Sequence, residues 1–196
     1  LSLTNAYDVV FEDCKFTGSG TRGVQLQECK GVTFRNCTFE DCNWSITVGR
    51  GLNIICCEDV VIDSCTFKNS QYGIFFESSL TQERLRTWSC NGCKIINCTF
   101  DGCIRPIATW VGDSSSHNTT NTDKAVKDIL VQGNTLRMGV VNQKRSHIDN
   151  STMYLASKAI QLSGTNIKIL DNVISGRKLI NQEAYLSPVN TSAYWN

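Results

Sequence analysis

Asp8-Val9-Val10-Phe11-Glu12-Asp13-Cys14-Lys15-Phe16 decides the fold, because the chain writes it again and again. Gly31–Phe39 reads GVTFRNCTF, Asp59–Phe67 reads DVVIDSCTF and Gly92–Phe100 reads GCKIINCTF. Asp128–Leu136 (DILVQGNTL) and Asn166–Ile174 (NIKILDNVI) are later copies. Successive copies start 23, 28, 33, 36 and 38 residues apart, so the unit is kept while something between units grows. Self-similarity at such a period marks a solenoid, whose coils cannot bury an apolar side alone and must stack.

Columns appear when the copies are laid over one another. Val9, Val32, Val60, Cys93, Ile129 and Ile167 form one, and Phe11, Phe34, Ile62, Ile95, Val131 and Ile169 lie two residues on. That alternation is a half-buried strand. Three residues later come Cys14, Cys37, Cys65, Cys98, Asn134 and Asn172, and two beyond these Phe16, Phe39, Phe67, Phe100, Leu136 and Ile174. The step of three puts a bend between the columns, with the small residues at an inward-facing corner. Stacking gives each Phe a Phe above and below, lets the asparagines form amide ladders and uses thiols as small core fillers.

A second strand is read in each copy: 23–27 (GVQLQ), 45–49 (SITVG), 73–77 (GIFFE), 106–110 (PIATW) and 159–163 (AIQLS). The expected fold is therefore all-β, a right-handed parallel β-helix of about six coils. Residues 1–196 form a single domain, read as a fragment of a longer chain, with a closing segment at about 181–196. Leucine-rich repeats would need more leucines per copy, and a propeller would need hairpin turns.

The net charge of +1 gives no reason to expect nucleic acid as a partner. No run of 18 apolar residues suggests membrane insertion. Eleven cysteines cannot all pair. The lone CxxC, Cys90 to Cys93, has no second half for a zinc site, so no metal or cofactor is expected. Free thiols are the favoured reading, which implies assembly in a reducing cytosol. The unfolded, unreduced chain should then titrate 11 thiols, and a count well below that would show disulfides. Two of the six Asn-x-Ser/Thr sequons, at Asn36 and Asn97, arise from the repeat and carry no message about glycosylation.

The repeat, from about residue 8 to 180, resembles the pectate-lyase-like superfamily of right-handed β-helices, and most of all a bacteriophage tailspike segment. The resemblance implies a carbohydrate polymer lying along the outside of the rod. It implies a tailspike or tail-fibre protein that binds, and in some members depolymerises, a bacterial surface polysaccharide. A homotrimer and a virion location, after assembly in host cytosol, would follow. The alternatives are a secreted microbial polysaccharide lyase or glycoside hydrolase, and a non-enzymatic carbohydrate-binding or structural β-helix.

Insertions in solenoids gather on one side, often the binding side. Here three are expected to leave the second strand at one corner, as 49–58, 77–91 and 110–127, and the fifth coil's insertion, 137–158, to bound a different corner. That strand's outward residues include Phe75 and Trp110, with Trp44, Tyr72 and Arg105 just before it or at its start. These five are the expected substrate-binding residues, since aromatic faces stack on sugar rings; the alternative is that the loops at 78–92 and 111–127, or another subunit, cover Phe75 or Trp110 as a small satellite core. Hydrolysis needs two carboxyl groups about 5 Å or roughly 6.5–9.5 Å apart. Glu77 and Asp113 are the expected pair, with Glu83 and Asp101 as weaker candidates. A lyase would use a base such as Arg105. His117 and His147 sit in polar loops. Asp13, Asp63 and Asp171 are read as turn residues.

Overall fold

The computed structural model describes residues 1–42, 50–79, 90–112, 126–138, 159–162, 164–176, 186–188 and 193–195. These form three parallel sheets of seven, seven and six strands, and the chain visits them in strict rotation. The first sheet contains Arg22–Gln27, Arg50–Ile55, Tyr72–Ser79 and Arg105–Gly112 among its strands. The second is built from the Phe11 column, from Val10–Glu12 to Ala193–Trp195. The Phe16 column is a short sheet of its own, from Lys15–Thr17 to Val173–Gly176. Six full coils and the start of a seventh result, a parallel β-helix.

Corner chemistry explains the repeat. The residue opening each copy is left-handed: Asp8, Gly31, Asp59, Gly92, Asp128 and Asn166 have φ between 51° and 68°. So is the residue at each bend between the second and third sheets: Asp13, Asn36, Ser64, Asn97, Gly133 and Asp171. Gly, Asn and Asp tolerate this region best. Asp13 and Asp171 are thus turn residues as expected, whereas Asp63 ends a strand one position earlier. The amides of Asn36 and Ser64 donate to Asp63 O and Ile96 O at 3.2 and 3.0 Å, so the bend is bonded from coil to coil.

The core is two-part. Phe16, Phe39, Phe67 and Phe100 stack with centroids 4.7 to 5.0 Å apart, and Phe11 stacks on Phe34 at 4.9 Å. Around them run the thiols. All eleven cysteines are free and only Cys14 is not fully buried. Nine of them occupy three corner columns, Cys14, Cys37, Cys65 and Cys98 at one, Cys29, Cys57 and Cys90 at another, Cys42 and Cys103 at the third, while Cys56 adjoins Cys57 and Cys93 lies in the Val9 column. Cys90 and Cys93 thus serve two different core positions. Among the described residues no group of three or more His, Cys, Asp or Glu is placed to hold a metal ion.

Cysteine replaces asparagine by copying its hydrogen bond. Asn134 Nδ2 donates to Ile95 O and Asn172 Nδ2 to Val131 O, one coil back. Cys37 Sγ donates to Phe11 O at 3.4 Å and Cys98 Sγ to Ile62 O at 3.5 Å in the same manner.

Burial pushes the Cys37 thiol up to about 11, and those of Cys93 and Cys103 up to about 12. The unfolded chain releases these protons as the pH passes about 9, while the folded chain keeps them. Stability is therefore whole below about pH 9 and is lost as the pH climbs towards 11 and 12. The slope approaches about 1.4 kcal/mol per pH unit for each thiol. Urea midpoints measured under reductant should fall clearly between pH 9 and 10.5; a flat midpoint there would contradict the buried-thiol assignment.

One strand lies elsewhere than the sequence pattern suggested. The second coil's strand in the first sheet is Arg50–Ile55, not 45–49. Its register sets Val24, Leu52 and Ile74 in one inward column and Leu26, Ile54 and Phe76 in the next. Gly23, Gly51 and Gly73 mark its true alignment. A Cβ on Gly51 would sit 2.8 Å from Gly73 O, and one on Gly73 only 2.6 Å from Phe100 Cδ1. The backbone crowds the Phe stack here, and only glycine fits. The extra residues of this coil consequently precede the strand rather than follow it.

Candidate functional site

The bend between the second and third sheets never exceeds two residues, in any coil. The first sheet is different. The intervals 41–49, 80–93, 113–125, 139–159 and 177–185 all adjoin one of its ends. Insertions thus attach at both ends of one sheet, and the second coil's insertion precedes its strand rather than following it as expected. The first sheet is the face that the chain elaborates.

Its outward columns follow from register. Arg22, Arg50, Tyr72 and Arg105 are aligned, then Gln25, Asn53, Phe75, Ala108 and Gln161, then Gln27, Ile55 and Glu77. Four of the predicted residues therefore come together in adjacent coils: Tyr72, Phe75, Glu77 and Arg105. Trp110 is Glu77's backbone partner in register. Trp44, Asp113, Glu83, His117 and His147 lie outside the described residues.

The centre of this face is a closed network. Arg50 Nη1 donates to Glu77 Oε2 and to Asn53 Oδ1, both at 2.8 Å. Asn53 Nδ2 donates to the same Glu77 oxygen at 3.3 Å. The Arg50 guanidinium lies 3.9 Å from the Phe75 ring centroid, and Tyr72 meets Phe75 edge-on at 4.7 Å. Arg105 Nη1 donates to the Tyr72 hydroxyl at 3.3 Å. Desolvation lowers the Arg50 pKa, and the Glu77 carboxylate opposes that shift.

Exposure bears on the choice between sugar contact and cover. Tyr72 and Phe75 are only 8% and 6% exposed, and with Ala108 they make a small apolar cluster outside the main core. They are not an open stacking platform. Glu77 keeps more access, with 21% of its side chain exposed. Asp101 belongs to the third sheet and pairs with Arg137 at 3.4 Å, so it is remote from this face. Asn53 and Arg50 were missed because their strand was read six residues too early. The Arg-Gly pair at 50–51, matching 22–23, was the signal that would have found them.

Residues 1–86 match a protein family described as the right handed beta helix region. The match spans the first three strands of this face that carry Arg22, Arg50 and Glu77, and supports a right-handed hand for the coil. No curated protein matches the chain. The β-helix thus has a chemically specialised outer sheet, where a cation, a carboxylate and aromatic rings are held rigidly by ladder register rather than by loops.

Proposed function

We propose that this β-helix binds a carbohydrate polymer along the outer face of its first sheet, as a tailspike or tail-fibre segment binds a bacterial surface polysaccharide. The observation that carries the reading is the coincidence on one sheet of all long insertions and of the Arg50–Asn53–Phe75–Glu77 network. A polymer running along the helix axis would meet the same strand positions in every coil, each about 4.8 Å from the last. Eleven free thiols support folding in a reducing compartment, which suits a virion protein made in host cytosol. Such a protein would be a homotrimer, with a mass in solution three times that of its chain.

Cleavage is a separate step within this reading, with Glu77 and Asp113 as its carboxyl pair and Trp110 and Trp44 as flanking sugar contacts. Binding to a panel of capsular and O-antigen polysaccharides, followed by a reducing-end assay, tests both parts. Any cleavage found should fall by about 100-fold or more in Glu77→Gln, the scale of a lost general acid or base, while binding persists. Cleavage that survives Glu77→Gln removes the residue from catalysis. Binding without cleavage leaves a non-enzymatic carbohydrate-binding β-helix.

A further inference from the structure

We infer that Cys14 and Cys37 are a redox pair, free under reducing conditions and joined by a reversible disulfide across two coils when a low-molecular-weight disulfide such as oxidised glutathione is present. The inference is independent of the glycan reading. Cys14 belongs to the thiol column that continues through Cys37, Cys65 and Cys98. Exposure separates its members: Cys14 is the one cysteine of the eleven that is not buried, while the other three in the column are 1% exposed. A reagent in water therefore reaches this column at Cys14.

The geometry places the second thiol within reach. Lys15 pairs in register with Thr38, and Thr38 N donates to Cys14 O at 2.8 Å, so Cys14 and Cys37 are neighbours on adjoining coils. Adjoining parallel strands are about 4.8 Å apart, inside the Cα separation of about 4.4–6.8 Å that disulfides span. Cys37 Sγ donates to Phe11 O at 3.4 Å, so the thiol leans back onto the coil that carries Cys14. Cβ atoms stacked at the coil spacing stand slightly farther apart than the roughly 3.5–4.5 Å of a relaxed disulfide, and a strained bond of this kind is readily reduced. In the first step the Cys14 thiolate attacks one sulfur of oxidised glutathione, forming a mixed disulfide and releasing one glutathione. In the second the Cys37 thiolate attacks the Cys14 sulfur and releases the other. Two protein thiols thereby give up two electrons and two protons, and the reagent takes them up as two thiols. Burial, which pushes the Cys37 thiol up to about 11, makes the second step the slower one.

The test incubates the intact folded protein with oxidised glutathione, then counts thiols and reads the intact mass and the peptide map. The wild type should lose two of its eleven thiols, retain no glutathione and yield a peptide linking Cys14 to Cys37. Reductant should restore both thiols. Cys37→Ser should stop after the first step and keep one glutathionyl group on Cys14, and Cys14→Ser should keep all its remaining thiols. Serine is a suitable replacement, because Ser70 Oγ donates to Lys68 O as Cys42 Sγ donates to Glu40 O in the third corner column. Eleven thiols left unchanged in the wild type would overturn the inference. So would glutathione retained on the wild type without a Cys14–Cys37 link, a disulfide between two copies of the chain, or thiol loss in Cys14→Ser.

Discussion

Phe67→Ala should cost about 4 kcal/mol of stability, the largest loss expected from any single core truncation in this chain. Phe67 is fully buried and stacks on two rings, Phe39 at 4.7 Å and Phe100 at 4.9 Å, nearly parallel to both. Its removal opens a cavity in the middle of the stack, where neither neighbour can collapse without leaving its own coil. Each lost stacking contact adds roughly 0.5–1.5 kcal/mol to the burial term. In a solenoid the damage also cuts two interfaces at once, since stability is carried by nearest-neighbour coils. Phe67→Leu should cost only about 1–2 kcal/mol, because the same column already accepts Leu136. Urea unfolding followed by circular dichroism would measure both. A loss below about 1 kcal/mol for the alanine variant would show that the rings are not the principal support.

Asn134→Leu should cost about 3 kcal/mol although it adds apolar volume to a fully buried site. Asn134 Oδ1 accepts from Cys98 N at 2.8 Å, and Nδ2 donates to Ile95 O at 3.0 Å and Asn172 Oδ1 at 2.8 Å. Leucine strands the Cys98 amide and the Ile95 carbonyl at a corner closed to water, at about 1–3 kcal/mol for each orphan. Asn134→Cys is the informative control. A thiol there can donate to Ile95 O as Cys98 Sγ donates to Ile62 O. The cysteine variant should therefore lose only about 1 kcal/mol. Equal losses for leucine and cysteine would refute the view that the thiol column is an amide ladder in another form.

Most of the fold was legible because corner and core chemistry coincide in the repeat. Left-handed corners select Asp, Asn and Gly, so the same positions that fix the turns also label the coils. Where a corner departs from this rule, as at Ser64, Glu28 and Cys56, the neighbouring Phe and Cys columns still hold the alignment. The first sheet was harder to read. Its strands lack that corner signature at their start, and 45–49 imitates their alternation. Only packing distinguishes the two choices, through glycines that must pass beneath Phe67 and Phe100. The site inherited that difficulty. Tyr72, Phe75, Glu77 and Arg105 were found from a correctly placed strand. Arg50 and Asn53 were hidden with the misplaced one. The burial of Tyr72 and Phe75 stood as one of two open readings, because alternation tells which way a side chain points but not what lies over it.

The invariant two-residue bend also bears on how such a molecule can change. Because every coil turns that corner with the same conformation and the same hydrogen bonds, the bend acts as a common splice junction. Exchanging or adding a coil between two such bends would rejoin strands of matching register and leave the Phe stack continuous. The opposite face would be rewritten at the same time, since each coil brings its own row of outward residues and its own insertions. The chain thus separates inheritance of the scaffold from variation in what the scaffold displays, and a change of target needs no new fold.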